Sequence, residues 1–100
     1  MPKEQSAVKE RQNTDIKIPR LYAVVFHNDD FTPMEFVVRV LTEIFFKSPI
    51  EAENLMMKVH TEEKAIAGIY SLDIAASKAN KTTSVARKEG YPLRLTVEPA

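Results

Sequence analysis

The chain has 100 residues, with 14 basic and 14 acidic side chains and no cysteine. This length fits one domain with a single core. The zero net charge argues against broad nucleic-acid binding, and the lack of cysteine excludes disulfides, thiolate metal sites and cysteine nucleophiles. No apolar run reaches the roughly 20 residues of a membrane span, and the start lacks the apolar core of a secretory signal. We therefore expect a cytoplasmic protein that binds neither nucleic acid nor a membrane.

The first 20 residues differ in composition from the remainder. They are polar, with mixed charges and only scattered apolar side chains. Such a segment buries too little apolar surface to offset the entropy lost on ordering. We predict a disordered N-terminal extension over residues 1–20 and one folded domain over residues 21–100.

The first half of the predicted domain is a strand followed by two helices. The β-branched and aromatic run Leu21–Phe26 predicts a strand, which the turn-forming Asn28-Asp29-Asp30 ends. The motif Thr32-Pro33-Met34-Glu35 predicts a capping box and a helix that continues to about Lys47. Ser48-Pro49-Ile50-Glu51 repeats the motif, so we expect a second helix and a helical hairpin.

The second half is predicted to contain a strand, a helix and a strand. Residues 65–70 indicate a strand, Ser71 suits a helix N-cap, and Gly90 suits a helix end. Apolar residues then alternate with polar ones from Leu93 to Glu98, as in a half-buried strand. The order β-α-α-β-α-β predicts an α+β fold, a two-layer sandwich with a three-stranded, mainly antiparallel sheet packed on three helices.

Two polar positions are candidates for a functional site. Asn28-Asp29-Asp30 precedes the first predicted helix, and His60 lies near the end of the second. The helical hairpin reverses direction, so we expect these positions to lie close together. Each also has a structural explanation, because Asn and Asp form turns and a single His often serves the core. Met34 and Met56 would by the same reasoning fill the core.

The longer stretch Asn28–Val37 resembles the signature of the ClpS family of bacterial protease adaptors. Leu55–His60, Lys64–Tyr70 and Tyr91-Pro92-Leu93 are similar to later motifs of that family, so the resemblance runs from Tyr22 to the C-terminus. It implies a non-enzymatic adaptor without cofactor or metal, which we expect to be a monomer. Such adaptors bind proteins whose N-terminal residue is Leu, Phe, Tyr or Trp. They deliver these N-degron substrates to the ATPase ClpA, which feeds the peptidase ClpP.

The resemblance also implies which residues bind the substrate. An N-terminal ammonium has three donors, so it requires converging acceptors. The positions implied to hold it are Asn28, Asp29, Asp30 and His60. The positions implied to line the pocket for the first side chain are Thr32, Met34, Val37, Met56, Val59 and Leu93. The position of Met34 is implied to act as a gate that excludes the β-branched Ile and Val.

A second surface is implied to contact the ATPase. Lys64, Asp73 and Lys78 fall at candidate positions, although a solvated charged surface explains them equally well. The N-terminal extension resembles the flexible extension that the ATPase engages during delivery. The chain departs from the family pattern at three positions, which leaves the residue preference open: His27, Glu63 and Tyr91.

Two other classes of protein compete with this interpretation. A metal-binding hydrolase could use Asp29, Asp30 and His60, since Asp and His are legitimate metal ligands. However, no spaced ligand motif and no nucleophile elbow is present. A ribosome-associated structural module is the other alternative, because a ribosomal stalk-protein domain has a similar small fold. Fold analogy alone does not establish function.

Overall fold

A computed structural model describes residues 18–100, and its elements follow the predicted order. They are β1 (Tyr22–His27), α1 (Met34–Glu43), α2 (Pro49–Glu62), β2 (Lys64–Tyr70), α3 (Leu72–Lys88) and β3 (Arg94–Pro99). Most of the predicted extension lies outside the described residues. Residues 18–20 precede β1 without regular structure.

The three strands form one antiparallel sheet in the order β2-β1-β3, which confirms the predicted α+β sandwich. A β-bulge interrupts the pairing of β1 with β2, because Val24 faces Gly68 whereas Val25 faces Ile66. A side chain at Gly68, beside this bulge, would collide with the Tyr70 ring, so a larger residue there would require that ring to move.

The core lies between the sheet and the helices. Val24 and Phe26 of β1 are buried in it, and the Phe26 ring meets the Phe45 ring edge-on at 5.3 Å between centroids. Ala75 and Ala79 of α3 are buried, and α3 contacts all three strands. Small side chains allow this close approach of helix and sheet.

The capping box predicted for α2 is confirmed. The Glu51 backbone N–H donates to the Ser48 hydroxyl at 3.2 Å, and the Ser48 N–H donates to the Glu51 carboxylate at 3.1 Å. Pro49 occupies the first turn, where its missing N–H is not needed. Ser71 occupies the N-cap position of α3 as expected, although its side chain makes no capping bond.

Both predicted ends of α1 were wrong. Pro33 is the N-cap residue, and because a proline side chain has no hydrogen-bonding group, no side chain caps the helix. The Thr32 hydroxyl, expected to be the cap, donates to the Asp29 carboxylate at 2.8 Å. The helix ends at Glu43 rather than near Lys47. Phe46 has a φ of 55°, a left-handed conformation that a helix cannot continue through.

Candidate functional site

The loop between β1 and α1 is attached to the end of α2 by a backbone hydrogen bond. The Asn28 N–H donates to the Glu63 carbonyl at 2.8 Å. Glu63 is the C-cap residue of α2, and His60 lies in the last turn of that helix. The sheet register at His27 and Lys64 continues into this bond. The fold thus joins the two polar regions that are far apart in sequence.

The Asp29 side chain organises the loop from within. One carboxylate oxygen accepts the backbone N–H groups of Phe31 and Thr32, at 2.8 and 2.7 Å. The other accepts the Thr32 hydroxyl at 2.8 Å. An Asp that bonds backbone groups two and three residues ahead fixes a turn. The loop that leads into α1 is therefore held in one conformation by a single carboxylate.

The environment of Asp29 favours its charged form. Partial burial alone would raise the pKa of its carboxyl group. The hydrogen bonds from Thr32 and Phe31 outweigh burial, and the positive charge of Arg87 adds to them, so the pKa lies below its usual value of 3.8. Asp29 is consequently an anion throughout the neutral range.

A cavity of about 210 Å³ opens between this loop, α1 and α2. Polar side chains of the loop and of α2 form one part of its wall: Asn28, Asp29, Asp30, Thr32 and His60. Apolar side chains of α1 and α2 form the other part: Met34, Val37, Met56 and Val59. Val37 and Val59 are buried, whereas 43% of Met34 is exposed. Hydrogen-bond acceptors and apolar side chains thus line the same small cavity.

Of the pocket residues that the resemblance implies, Leu93 alone does not line this cavity. Its side chain is 1% exposed and belongs to the hydrophobic core. Arg87 donates to the carbonyl groups of Tyr91 and Leu93, at 2.9 and 2.8 Å, which holds the segment before β3 against α3. Leu93 therefore supports the site from the core rather than from the cavity wall.

The three candidate ATPase contacts do not form one cluster. Lys64 begins β2, whereas Asp73 follows the other end of that strand in the first turn of α3, about 20 Å away along a seven-residue strand. The Lys78 ammonium donates to the Ile44 carbonyl at 2.6 Å and lies 4.6 Å from the centre of the Phe46 ring. Lys78 therefore links α3 to the end of α1.

Each departure from the family pattern has a structural setting. The His27 ring bonds the Thr96 hydroxyl at 2.8 Å; burial, together with Arg94 and Lys64, lowers the His27 pKa. Glu63 has a φ of 73°, a conformation that favours glycine. The Tyr91 ring packs edge-on against Phe36, with centroids 4.9 Å apart. None of these three side chains lines the cavity.

Sequence reasoning gave no role to two residues that bear on the site loop. Arg87 was not singled out, and no local pattern points to it, because its link to the loop arises only from tertiary packing. Phe31 lies within the stretch Asn28–Val37 and was given no role; it is 79% exposed and stands between Asp30 and Thr32, which line the cavity. The spacing of Asp29 to Thr32 was a usable signal for the turn, since short-range Asp bonds of this kind are common.

Residues 18–100 contain neither a metal cluster nor a membrane-spanning helix. No group of three or more His, Asp or Glu side chains there is placed to hold a metal ion. None of the helices in that part of the chain has the length and apolar character needed to cross a membrane.

Comparison with known proteins places this fold and cavity in a family. The family model described as "ATP-dependent Clp protease adaptor protein ClpS" matches residues 17–96. The ATP-dependent Clp protease adapter proteins ClpS of Burkholderia mallei and Burkholderia cenocepacia are each 45% identical over 98 residues, which is 98% of this chain and 94% of theirs. A solved structure of Agrobacterium tumefaciens ClpS2 bound to L-phenylalaninamide superposes with a TM-score of 0.81 at 38% identity. It covers 83% of this chain and all of that one.

The fold, the cavity and these matches define a small protein of the protease-adaptor class. The chain belongs to the ClpS family of ATP-dependent Clp protease adaptor proteins. The resemblance noted in the sequence is confirmed over nearly its whole length.

Proposed function

We propose that the cavity binds the first residue of proteins that begin with Leu, Phe, Tyr or Trp, and that the chain delivers them to a ClpA-type ATPase. The observation that carries this proposal is the shared cavity itself. Hydrogen-bond acceptors and an apolar hollow of suitable size lie side by side in it. An N-terminal residue offers the same pair of features, an ammonium and a side chain on one carbon atom.

The polar wall suits an ammonium group. Asn28 supplies an amide oxygen, Asp30 a carboxylate and neutral His60 a ring nitrogen. An acetylated N-terminus presents one N–H and would leave acceptors unpaired. Each buried unpaired acceptor costs about 1–3 kcal/mol. The arrangement therefore favours a free N-terminus over an internal or blocked residue.

In this proposal, Asp29 contributes to binding mainly by holding the loop in place. Its carboxylate already accepts three hydrogen bonds from Phe31 and Thr32. A carboxylate has about four acceptor positions, so about one is left for a ligand. Asp29 would thus position Asn28 and Asp30 and add its negative charge, with at most one direct bond to the ammonium.

The apolar wall suits one large side chain. A cavity of about 150 Å³ is known to hold benzene, so about 210 Å³ accommodates a Phe or Leu side chain. Its burial contributes about 1.5–3 kcal/mol. Met34 is partly exposed, and its flexible thioether can close over a planar or γ-branched side chain. We propose that Met34 disfavours the stiff, β-branched Ile and Val.

The ligand of the Agrobacterium tumefaciens relative supports this proposal. L-phenylalaninamide has a free α-amino group and a benzyl side chain, with an amide where a second residue would begin. It therefore presents the same two groups as a protein that starts with Phe.

Delivery requires a second surface, for which we propose the exposed Lys64 and Asp73 and the Lys78 region. Lys64 and Asp73 lie at opposite ends of β2, so an ATPase domain that touches both would follow this edge strand. Lys78 would act with its bond to Ile44 retained. We further propose that the protein works as a monomer in the cytoplasm.

Fluorescence anisotropy of labelled peptides tests the binding proposal directly. Peptides that differ only in their first residue are compared, each with a free and an acetylated N-terminus. We expect free Phe and Leu peptides to bind at least tenfold more tightly than their acetylated forms, which corresponds to about 1.4 kcal/mol. Equal binding of free and acetylated peptides would refute recognition of the ammonium.

A further inference from the structure

Phe31 is an exposed aromatic residue in the middle of the site loop. Its side chain is 79% exposed, although the residues on both sides of it, Asp30 and Thr32, line the cavity. A single exposed apolar residue is ordinary on a protein surface. An exposed phenyl ring in the loop that forms part of the cavity wall is a more specific arrangement, although Phe31 itself is not among the lining residues.

The backbone of Phe31 is fixed even though its ring is exposed. Its N–H donates to the Asp29 carboxylate at 2.8 Å, and the next N–H, of Thr32, bonds the same oxygen at 2.7 Å. Little backbone entropy is therefore lost when a ligand packs against the ring. The ring is presented on a preorganised turn beside the cavity.

The position of a substrate's second residue follows from covalent geometry. The α-amino group and the carbonyl group share one carbon atom, and the next Cα lies 3.8 Å from the first. If the ammonium occupies the polar wall at Asn28, Asp30 and His60, the second residue lies one peptide unit away from that wall. The loop that carries Phe31 forms part of that wall, so the second residue lies close to this loop.

We propose that Phe31 forms a subsite for the second residue of the substrate, selective for large apolar side chains such as Leu, Met or Phe. This inference rests on the proposed function, because it requires the first residue to be seated in the cavity. Contact with the ring would remove apolar surface from water on both sides. A glycine or serine at the second position would leave the ring exposed.

The chain offers a matched control for this subsite. Phe46 is also 79% exposed, but it follows α1, does not line the cavity and lies under the Lys78 ammonium at 4.6 Å. Removing its ring therefore removes the same apolar area at a distant position. Phe31→Tyr is the conservative variant, because it keeps the aromatic ring.

The experiment measures anisotropy with the full chain and four free peptides that begin Phe-Leu, Phe-Gly, Ala-Leu and Ala-Gly. For the unaltered chain we expect Phe-Leu to bind about three- to tenfold more tightly than Phe-Gly. Phe31→Ala should reduce this ratio to near one while the preference for Phe over Ala at the first position persists. Phe31→Tyr and Phe46→Ala should both keep the ratio.

The outcomes separate this proposal from the proposed function. If Phe31→Ala keeps the Leu-to-Gly ratio, or weakens all peptides equally, the subsite is refuted while first-residue recognition stands. If the unaltered chain prefers neither Phe over Ala nor a free over an acetylated terminus, the proposed function fails and the subsite fails with it. Urea unfolding of each variant verifies that the exposed substitutions leave the fold intact.

Discussion

Two motifs of this chain have the same pattern but different structures. Ser48-Pro49-Ile50-Glu51 forms a reciprocal capping box at the start of α2. In Thr32-Pro33-Met34-Glu35 no side chain caps α1, and the Thr32 hydroxyl and N–H both bond Asp29 instead. We call them the α2 motif and the α1 motif. The difference lies outside both, in the residue three positions before the threonine.

The comparison shows that a sequence with the pattern of a helix cap can instead form part of a binding site. Hydrogen bonds to a carboxylate are stronger than those between neutral groups, so the bonds to Asp29 fix the orientation of Thr32. The first turn of α1 relies instead on backbone bonds from Phe36 and Val37 to the Pro33 carbonyl, at 3.1 and 3.3 Å. Residues that would otherwise start a helix thus build the wall of a cavity.

The largest expected effect comes from removing Asp29. Asp29→Ala deletes the acceptor of three hydrogen bonds and the charge that the loop holds beside the cavity. Asp29 makes at most one direct bond to the ammonium, but its removal also frees the loop that positions Asn28 and Asp30. We therefore expect affinity for a Phe-initiated peptide to fall about a hundredfold, which corresponds to about 2.8 kcal/mol. Anisotropy measures the affinity, and urea unfolding should show that the domain still folds.

The matched change in the α2 motif is Glu51→Ala. This change removes the carboxylate that accepts the Ser48 N–H. Glu51 lies in the first turn of α2, whereas the opposite end of that helix forms part of the site. We expect lower stability with unchanged affinity. Micromolar binding retained by Asp29→Ala would contradict the role assigned to the site carboxylate.

The third residues of the two motifs should also differ in their effects. Met34 lines the cavity, whereas Ile50 is 74% exposed and does not. Met34→Ala should widen the cavity and improve binding of Ile- and Val-initiated peptides by about tenfold, since one methyl-sized clash corresponds to about 1–3 kcal/mol. Ile50→Ala should leave the preference unchanged. An unaltered preference in Met34→Ala would remove the gate role.

The first residues of the motifs should separate stability from binding. Ser48→Ala removes a capping bond and should cost about 1 kcal/mol of unfolding free energy, with no change in peptide affinity. Thr32→Val keeps the side-chain volume but deletes the bond to Asp29, so it should weaken binding severalfold without a capping loss. Urea unfolding and anisotropy on both variants test this. Unchanged peptide affinity in Thr32→Val would mean that the bond from Thr32 to Asp29 does not serve the site.

Much of the fold was predictable because local signals agreed with tertiary packing. The β-branched and aromatic run of β1 and the alternation in β3 indicated their elements correctly. The start of α2 followed from its capping box. The ends of α1 could not be predicted from the helix motif, because each depends on a residue outside it. The Asp29 carboxylate binds Thr32 at one end, and Phe46 adopts a left-handed conformation at the other.

The candidate site was predictable in part. Family resemblance indicated the residues, but their meeting depends on the bond from Asn28 to Glu63, which no local pattern encodes. Leu93 shows the limit of the resemblance, because its position in the motif says nothing about whether it faces the cavity or the core. Arg87 shows the same limit, since only packing brings its charge to Asp29.

The smallest expected effect is a pH dependence of stability that originates in the loop. Because the Asp29 pKa is lowered in the folded chain, its ionised form stabilises the fold above the usual value of 3.8. That contribution is lost as the pH falls through the lower folded-state value. Asp29→Asn removes it while keeping an oxygen acceptor, so the difference in unfolding free energy should be present at pH 7 and shrink below about pH 4.

Ile50→Ala, which alters no titrating group, should show a constant difference from the unaltered chain. A difference for Asp29→Asn that is unchanged between pH 7 and pH 3 would mean that the loop hydrogen bonds do not favour the charged carboxylate.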